Sequence, residues 1–73
     1  MTQSDLNLGD LIRDNEELHR FKNERVYRVS SISPDWVTAI HVRGGRLGVT
    51  RINRKRIHTD DKVRRTGWTR VAA

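Results

Sequence analysis

Residues 26–57 constrain this chain most. They hold several short runs of strand-forming residues, cut at close intervals by turn residues, and no run is long enough to bury a core by itself. Val26-Tyr27-Arg28-Val29-Ser30-Ser31-Ile32 is the strongest run, rich in β-branched and aromatic side chains. Tyr27 and Val29 share one face. Ile32 falls on the opposite parity, which predicts a bulge near Ser30-Ser31 that returns it to the core. Ser33-Pro34-Asp35 is a turn with Pro at its second position. A strand follows over 36–42, Gly44-Gly45 is a two-residue hairpin signal, and 46–52 is a further strand with Leu47 and Val49 on one face. Asn53-Arg54-Lys55-Arg56-Ile57 predicts one helical turn anchored by Ile52 and Ile57. Thr59-Asp60-Asp61-Lys62 is a loop, and Trp68–Val71, after Thr66-Gly67, is a short final strand.

The beginning of the chain has a different texture. Over residues 1–17 the leucines and isoleucine (Leu6, Leu8, Leu11, Ile12) fit neither clean alternation nor a sustained helical stripe, and Gly9 interrupts them. This segment is expected to be an acidic N-terminal arm, partly disordered or a short helix, packing on the domain through its leucines. Asp14 with Glu17 three residues on is a capping-box pattern for a helix over Asn15–Phe21. The same region also shows alternation, Leu18, Arg20 and Lys22 against His19, Phe21 and Asn23, which predicts a first short strand before a turn at Lys22-Asn23-Glu24-Arg25.

With 73 residues the chain is one domain, and with no cysteine it has no disulfide staple, thiolate nucleophile or cysteine metal site. Five short strands with hairpin links and a single helical turn before the last strand predict a mainly β fold. A small five-stranded SH3-like barrel over residues 18–73 fits best, since closing the sheet removes its exposed edges. A five-stranded OB barrel is second and usually needs more residues. No apolar run approaches the ~18 residues that span a membrane, and no charged-then-apolar leader is visible. The expectation is a soluble cytoplasmic protein or part of a larger particle.

Charge is divided unequally. Residues 1–17 carry one base and five acids, a net −4, and residues 18–73 carry fourteen bases and four acids, a net +10. Twelve of the fifteen bases are Arg, whose planar fork suits phosphate and stacks on flat rings. Such a segment attracts polyanions. The densest cluster is Arg51, Arg54, Lys55 and Arg56. Lys62, Arg64, Arg65 and Arg70 lie downstream, and Arg43 and Arg46 flank the hairpin. In a barrel of this type these bases are expected to form one nucleic-acid-binding surface, with Trp68 or Tyr27 as stacking partners. A core role competes for each aromatic, because there are only four in the chain. If Val37 and Ala39 point inward, Trp36, Ile40 and Val42 point outward, and that patch fits a protein partner or a homo-oligomer contact.

Other chemistries have little to stand on. His19, His41 and His58 lack metal-ligand spacing, so no metal and no cofactor are expected. His58-Thr59-Asp60-Asp61 is more cheaply a Thr-Asp turn capping its own backbone. Ser30, Ser31 and Ser33 have no nucleophile-elbow context, and Gly44-Gly45 lacks the strand–loop–helix setting of a phosphate loop. No catalytic residue is assigned, and an enzyme is not expected.

Five stretches together resemble small proteins of tailed bacteriophages and prophages. They are Phe21 through Val29, Asp35-Trp36-Val37-Thr38, Arg51-Ile52, Arg56-Ile57-His58-Thr59-Asp60 and Arg64-Arg65-Thr66-Gly67-Trp68. The similarity is one of hydrophobic spacing and turns and covers roughly residues 18–71; the acidic arm and Trp36 depart from it. It implies an SH3-like barrel, a phage or prophage origin and a binding role, in the bacterial host cytoplasm or associated with the virion.

Overall fold

A computed structural model describes residues 6–45, 47–60 and 62–71. In chain order the elements are β1 (Leu11–Asp14), α1 (Asn15–Phe21), β2 (Val26–Ile32), β3 (Trp36–Arg43), β4 (Val49–Asn53), a 3-10 helix (Arg54–Arg56), β5 (Ile57–His58) and β6 (Trp68–Val71). The strands form one six-stranded sheet, ordered β4-β3-β2-β1-β6-β5 and curled as a half-barrel. The mainly β expectation holds; the count of five does not. Two strands, β1 and β5, were not expected, and the one expected over 18–23 is absent; β5 is two residues long, parallel to β6 and too short to leave a periodic signal.

The inner face follows the predicted parity. Tyr27 and Val29 on β2, Val37 and Ala39 on β3 and Ile52 on β4 are buried together with Leu6 and Ile12. The register of β2 against β3 shifts between Val29 and Ser31, and Ile32 packs against the core beyond that bulge. Trp68 and Ile57 are partly buried and pack against the core, and Tyr27 meets Trp68 and His41 edge-on at 5.5 and 5.7 Å between ring centroids.

The beginning of the chain departs from expectation. Residues 1–5 of the predicted arm lie outside the described residues, but Leu6 belongs to the core and β1 is an interior strand. Ile12 stands opposite Tyr27 of β2 on one side and Arg70 of β6 on the other. Just ahead of β1, Gly9 N–H donates to the Val29 carbonyl and Val29 N–H to the Asp10 carbonyl, each at 2.8 Å. Residues 6–17 are therefore continuous with the sheet rather than an appendage to a domain beginning at 18. A four-residue strand is too short for period-2 alternation to stand out among leucines.

The capping-box expectation is met in its helical extent, and the strand expectation for 18–23 is overturned. Asp14, extended at φ −76 and ψ 110, accepts from the N–H groups of Glu16 and Glu17. Glu16 and Glu17 in the first turn and His19 and Arg20 in the last suit the helix dipole. Lys22 ends the helix in the left-handed region.

The hairpin between β3 and β4 is also wider than the two-residue turn predicted at Gly44-Gly45. The strands resume pairing only at Ile40–Val49, and His41 N–H reaches across to the Gly48 carbonyl. Gly44 serves a different purpose: at φ +77 it lies against the Glu24 carbonyl so closely that no Cβ fits.

Three hydrogen bonds from Asn15 tie the β1–α1 corner to the segment leading into β6. Asn15, buried at the β1–α1 corner, donates through Nδ2 to Thr69 Oγ1 (2.7 Å) and to the Thr66 carbonyl (3.1 Å). Its backbone N–H donates to the Gly67 carbonyl at 3.0 Å. Gly67 holds φ +74, and a Cβ there would sit 2.8 Å from the Arg56 carbonyl. Three segments thus meet where position 67 has no room for a Cβ and the Asn15 amide is buried. Replacing Asn15 by Ala strips buried acceptors of their donor, which is expected to cost about 1–3 kcal/mol. Urea denaturation checks this against Ser30→Ala at an exposed site, expected within about 0.5 kcal/mol of the parent. Equal midpoints for the two variants would refute the latch.

Candidate functional site

The placement of the carboxylates defines which bases are left for a ligand. Glu24 pairs with Arg43 (2.6 Å), Glu17 with Arg25 (3.3 Å), Glu16 with Arg20 (3.8 Å) and Asp10 with Arg70 (3.7 Å). Asp60 grips Arg64 with both oxygens. The hydrogen bond from Arg64 holds the Asp60 carboxyl at about 2, down from 3.8, and the same bond raises the pKa of the Arg64 guanidinium. Two of the nine bases and aromatics expected to bind nucleic acid, Arg43 and Arg64, are therefore already engaged.

The remaining bases look different. Arg28, Arg51, Lys55, Arg56, Lys62 and Arg65 have no carboxylate within ion-pair distance among the described residues. No acid occurs anywhere in 49–56. The 3-10 helix that carries Arg54–Arg56 starts from Asn53, whose side chain accepts from Lys55 N–H at 2.9 Å. Arg54 N–H donates to the Asp35 carbonyl at 2.9 Å, and its guanidinium reaches the Ser33 carbonyl at 3.5 Å. The 3-10 helix is thereby docked against the β2–β3 turn, beside the first residue of β3.

That residue is Trp36. The β3–β4 register sets Trp36 opposite Asn53, Thr38 opposite Arg51 and Ile40 opposite Val49. Trp36 and Arg51 are thus diagonal neighbours on the outer face, and the Arg51 guanidinium carbon lies 4.3 Å from the Trp36 ring centroid. Such a contact at an exposed site is worth about 0.5–1 kcal/mol. Trp36 is 39% exposed, Ile40 47% and Val49 67%. The predicted outward triad of Trp36, Ile40 and Val42 is found outside, and it shares its face with Arg51.

The sequence-level cluster is spread over several elements. Arg51 lies against Trp36, and Arg54, which opens the 3-10 helix holding Lys55 and Arg56, is bonded to the neighbouring Asp35. Arg43 ends β3, seven residues from Trp36 and so roughly 23 Å away along the strand. Arg64 and Arg65 line an open groove of about 430 Å³ with Leu18 and His19 of α1, with Lys22 just after it and with Val63. Arg46 lies outside the described residues. Tyr27 is buried and offers no ring face for stacking, while Trp68 is half-buried, packed against the core and edge-on to Tyr27.

Arg28 and Val49 complete the outer face and were missed as candidates. Arg28 is exposed opposite Ile40, and Val49 faces Ile40 from β4. The parity that turns Tyr27 and Val29 inward already turned Arg28 outward. The histidines have structural surroundings: His41 Nε2 accepts from Gly45 N–H at 3.1 Å, and His58 lies beside Gly67. Among the described residues no group of three or more potential metal ligands converges, and no helix is long and apolar enough to cross a membrane. No protein-family model, curated protein or solved structure matches this chain.

The Asp60–Arg64 pair makes a pH prediction. Because its folded pKa is depressed, Asp60 stays charged and the pair persists as pH falls past 3.8, to be lost only as pH passes through about 2. In a carboxyl-carbon NMR titration the midpoint is expected near 2, moving toward 3.8 in Arg64→Gln. A parent midpoint already at 3.8 would return Arg64 to the uncompensated bases.

Proposed function

We propose that the protein is a small nucleic-acid-binding module whose contact face is the outer surface of β3 and β4 together with the 3-10 helix that follows. One observation carries this: among the described residues, carboxylates pair with Arg20, Arg25, Arg43, Arg64 and Arg70, while none lies within ion-pair distance of Arg51, Lys55 or Arg56, and Arg51 lies against an exposed Trp36. Phosphates would supply the missing anions, and Arg and Lys at this density give affinity that is steep in salt. The proposed site is narrower than the sequence-level list, with Arg43 and Arg64 outside it.

The proposal extends to the fold family and origin. Support for an SH3-like barrel comes from connectivity: a four-strand meander, a 3-10 turn, and a last strand that returns to the first. A phage or prophage source, with a place in the host cytoplasm or the virion, is supported by the sequence pattern alone.

A second reading has its own observation. Ile40 and Val49 face each other across β3 and β4 with large exposure, and β4 is a sheet edge. A protein partner or a second copy of the chain would cover such a patch. Light scattering separates the two: a discrete oligomer that persists in high salt favours the protein reading.

For the leading proposal, the triple change Arg51→Gln, Lys55→Gln, Arg56→Gln is expected to weaken oligonucleotide binding and flatten the salt slope by about 2, at ~0.7 per lost phosphate contact on a single strand. The pair Arg43→Gln, Arg64→Gln is expected to change both much less. Equal losses from the two sets would show that overall charge, and not this face, governs binding.

A further inference from the structure

We infer that the ligand of this face is a single strand, with an unpaired base stacked at the Trp36–Arg51 pair. This rests on the nucleic-acid proposal above and names its substrate class.

The register places Trp36 opposite Asn53, and the Arg51 guanidinium carbon lies 4.3 Å from the centroid of its ring. Trp36 is an exposed aromatic on this face, and an unpaired base can stack on the exposed part of its ring. In a duplex both faces of each base are covered by its neighbours, so a ring on a sheet reaches them only after unstacking.

The rest of the surface agrees. Ile40 and Val49, next along the same ladder, are apolar and exposed. A duplex would set its charged perimeter against them, whereas a single strand turns bases and sugars toward them and its phosphates outward. Bases flank this platform on both sides: Arg28 on β2 opposite Ile40, and Lys55 and Arg56 beyond the end of β4. A stacking platform within a basic border is the arrangement of single-strand binders.

The molecule also lacks a duplex reader among its described elements. The major groove admits an α-helix or a two-stranded ribbon. Helix α1 has seven residues, with Glu16 and Glu17 in its first turn and Arg20 paired to Glu16. The β3–β4 hairpin is no free ribbon, since β2 pairs with β3 along most of its length.

The test is fluorescence anisotropy on the full chain. Three labelled probes of about 12 nucleotides are used: oligo-dT, a mixed-sequence duplex and an abasic strand of equal charge, at about 50 and 150 mM salt. The parent is expected to bind oligo-dT about ten-fold or more tightly than the duplex. Trp36→Leu is expected to lose about ten-fold for oligo-dT and to leave the abasic strand unchanged, in line with stacking on one aromatic. Trp36→Phe is expected to restore most of the loss, and a thermal melt checks that the variants fold. Duplex binding as tight as oligo-dT, or equal losses for oligo-dT and the abasic strand in Trp36→Leu, would overturn the single-strand inference. If Lys55→Gln, Arg56→Gln still weakened every probe, the nucleic-acid proposal would stand. Absence of binding to any probe at the lower salt would overturn both.

Discussion

A four-residue strand carries the architecture. Leu11–Asp14 is the bridge between the β2-β3-β4 meander and the β6-β5 pair, and without it the sheet is two fragments, neither able to enclose a core. Ile12 is fully buried at this junction. Asn15, the next residue but two, then ties the corner to Thr66, Gly67 and Thr69. A chain this short, with no disulfide, has few large side chains to bury. The amide latch therefore does what a larger core would do elsewhere: it fixes the return of β6 to β1.

The proposed contact face depends on that closure at one remove. The Arg56 carbonyl rests against Gly67, and Ile57 and His58 pair with Trp68 and Thr69. The far end of the 3-10 helix is thus held by the latched corner, and its near end by the Asp35 carbonyl. Arg54, Lys55 and Arg56 are presented by a segment restrained at both ends. Charge then separates function from solubility. Ion pairs reaching across the fold, Asp10 to Arg70 and Glu24 to Arg43, quiet bases elsewhere, and the run 49–56 carries no acid of its own.

Much of this was legible in the sequence wherever a short-range rule applied. Strand β2 and its bulge, the inward turn of Val37 and Ala39, the helical turn after Asn53 and the final strand at Trp68 all follow from period-2 parity or local capping. Asp14 likewise announced α1, though a shallow alternation over 18–23 competed with it. What could not be read depends on distant partners. Strand β1 is defined by two neighbours, one of them some 60 residues away in sequence, at Arg70 and Val71. Gly44-Gly45 looked like a tight turn because nothing local shows the Glu24 backbone pressing on Gly44. The basic cluster looked continuous because ion pairs such as Glu24–Arg43 join different elements. Trp68 looked free, and only the fold shows it half-buried and edge-on to Tyr27.

The most direct test of the account is an amide chemical-shift map of the protein titrated with a short oligonucleotide at low and near-physiological salt. The account predicts shifts concentrated on Trp36, Thr38, Ile40, Arg51 and the 53–56 segment, fading as salt rises, with the Glu24–Arg43 corner and α1 unmoved. Shifts centred instead on the α1 groove at Arg64 and Arg65, or on the hairpin at Arg43, would contradict it.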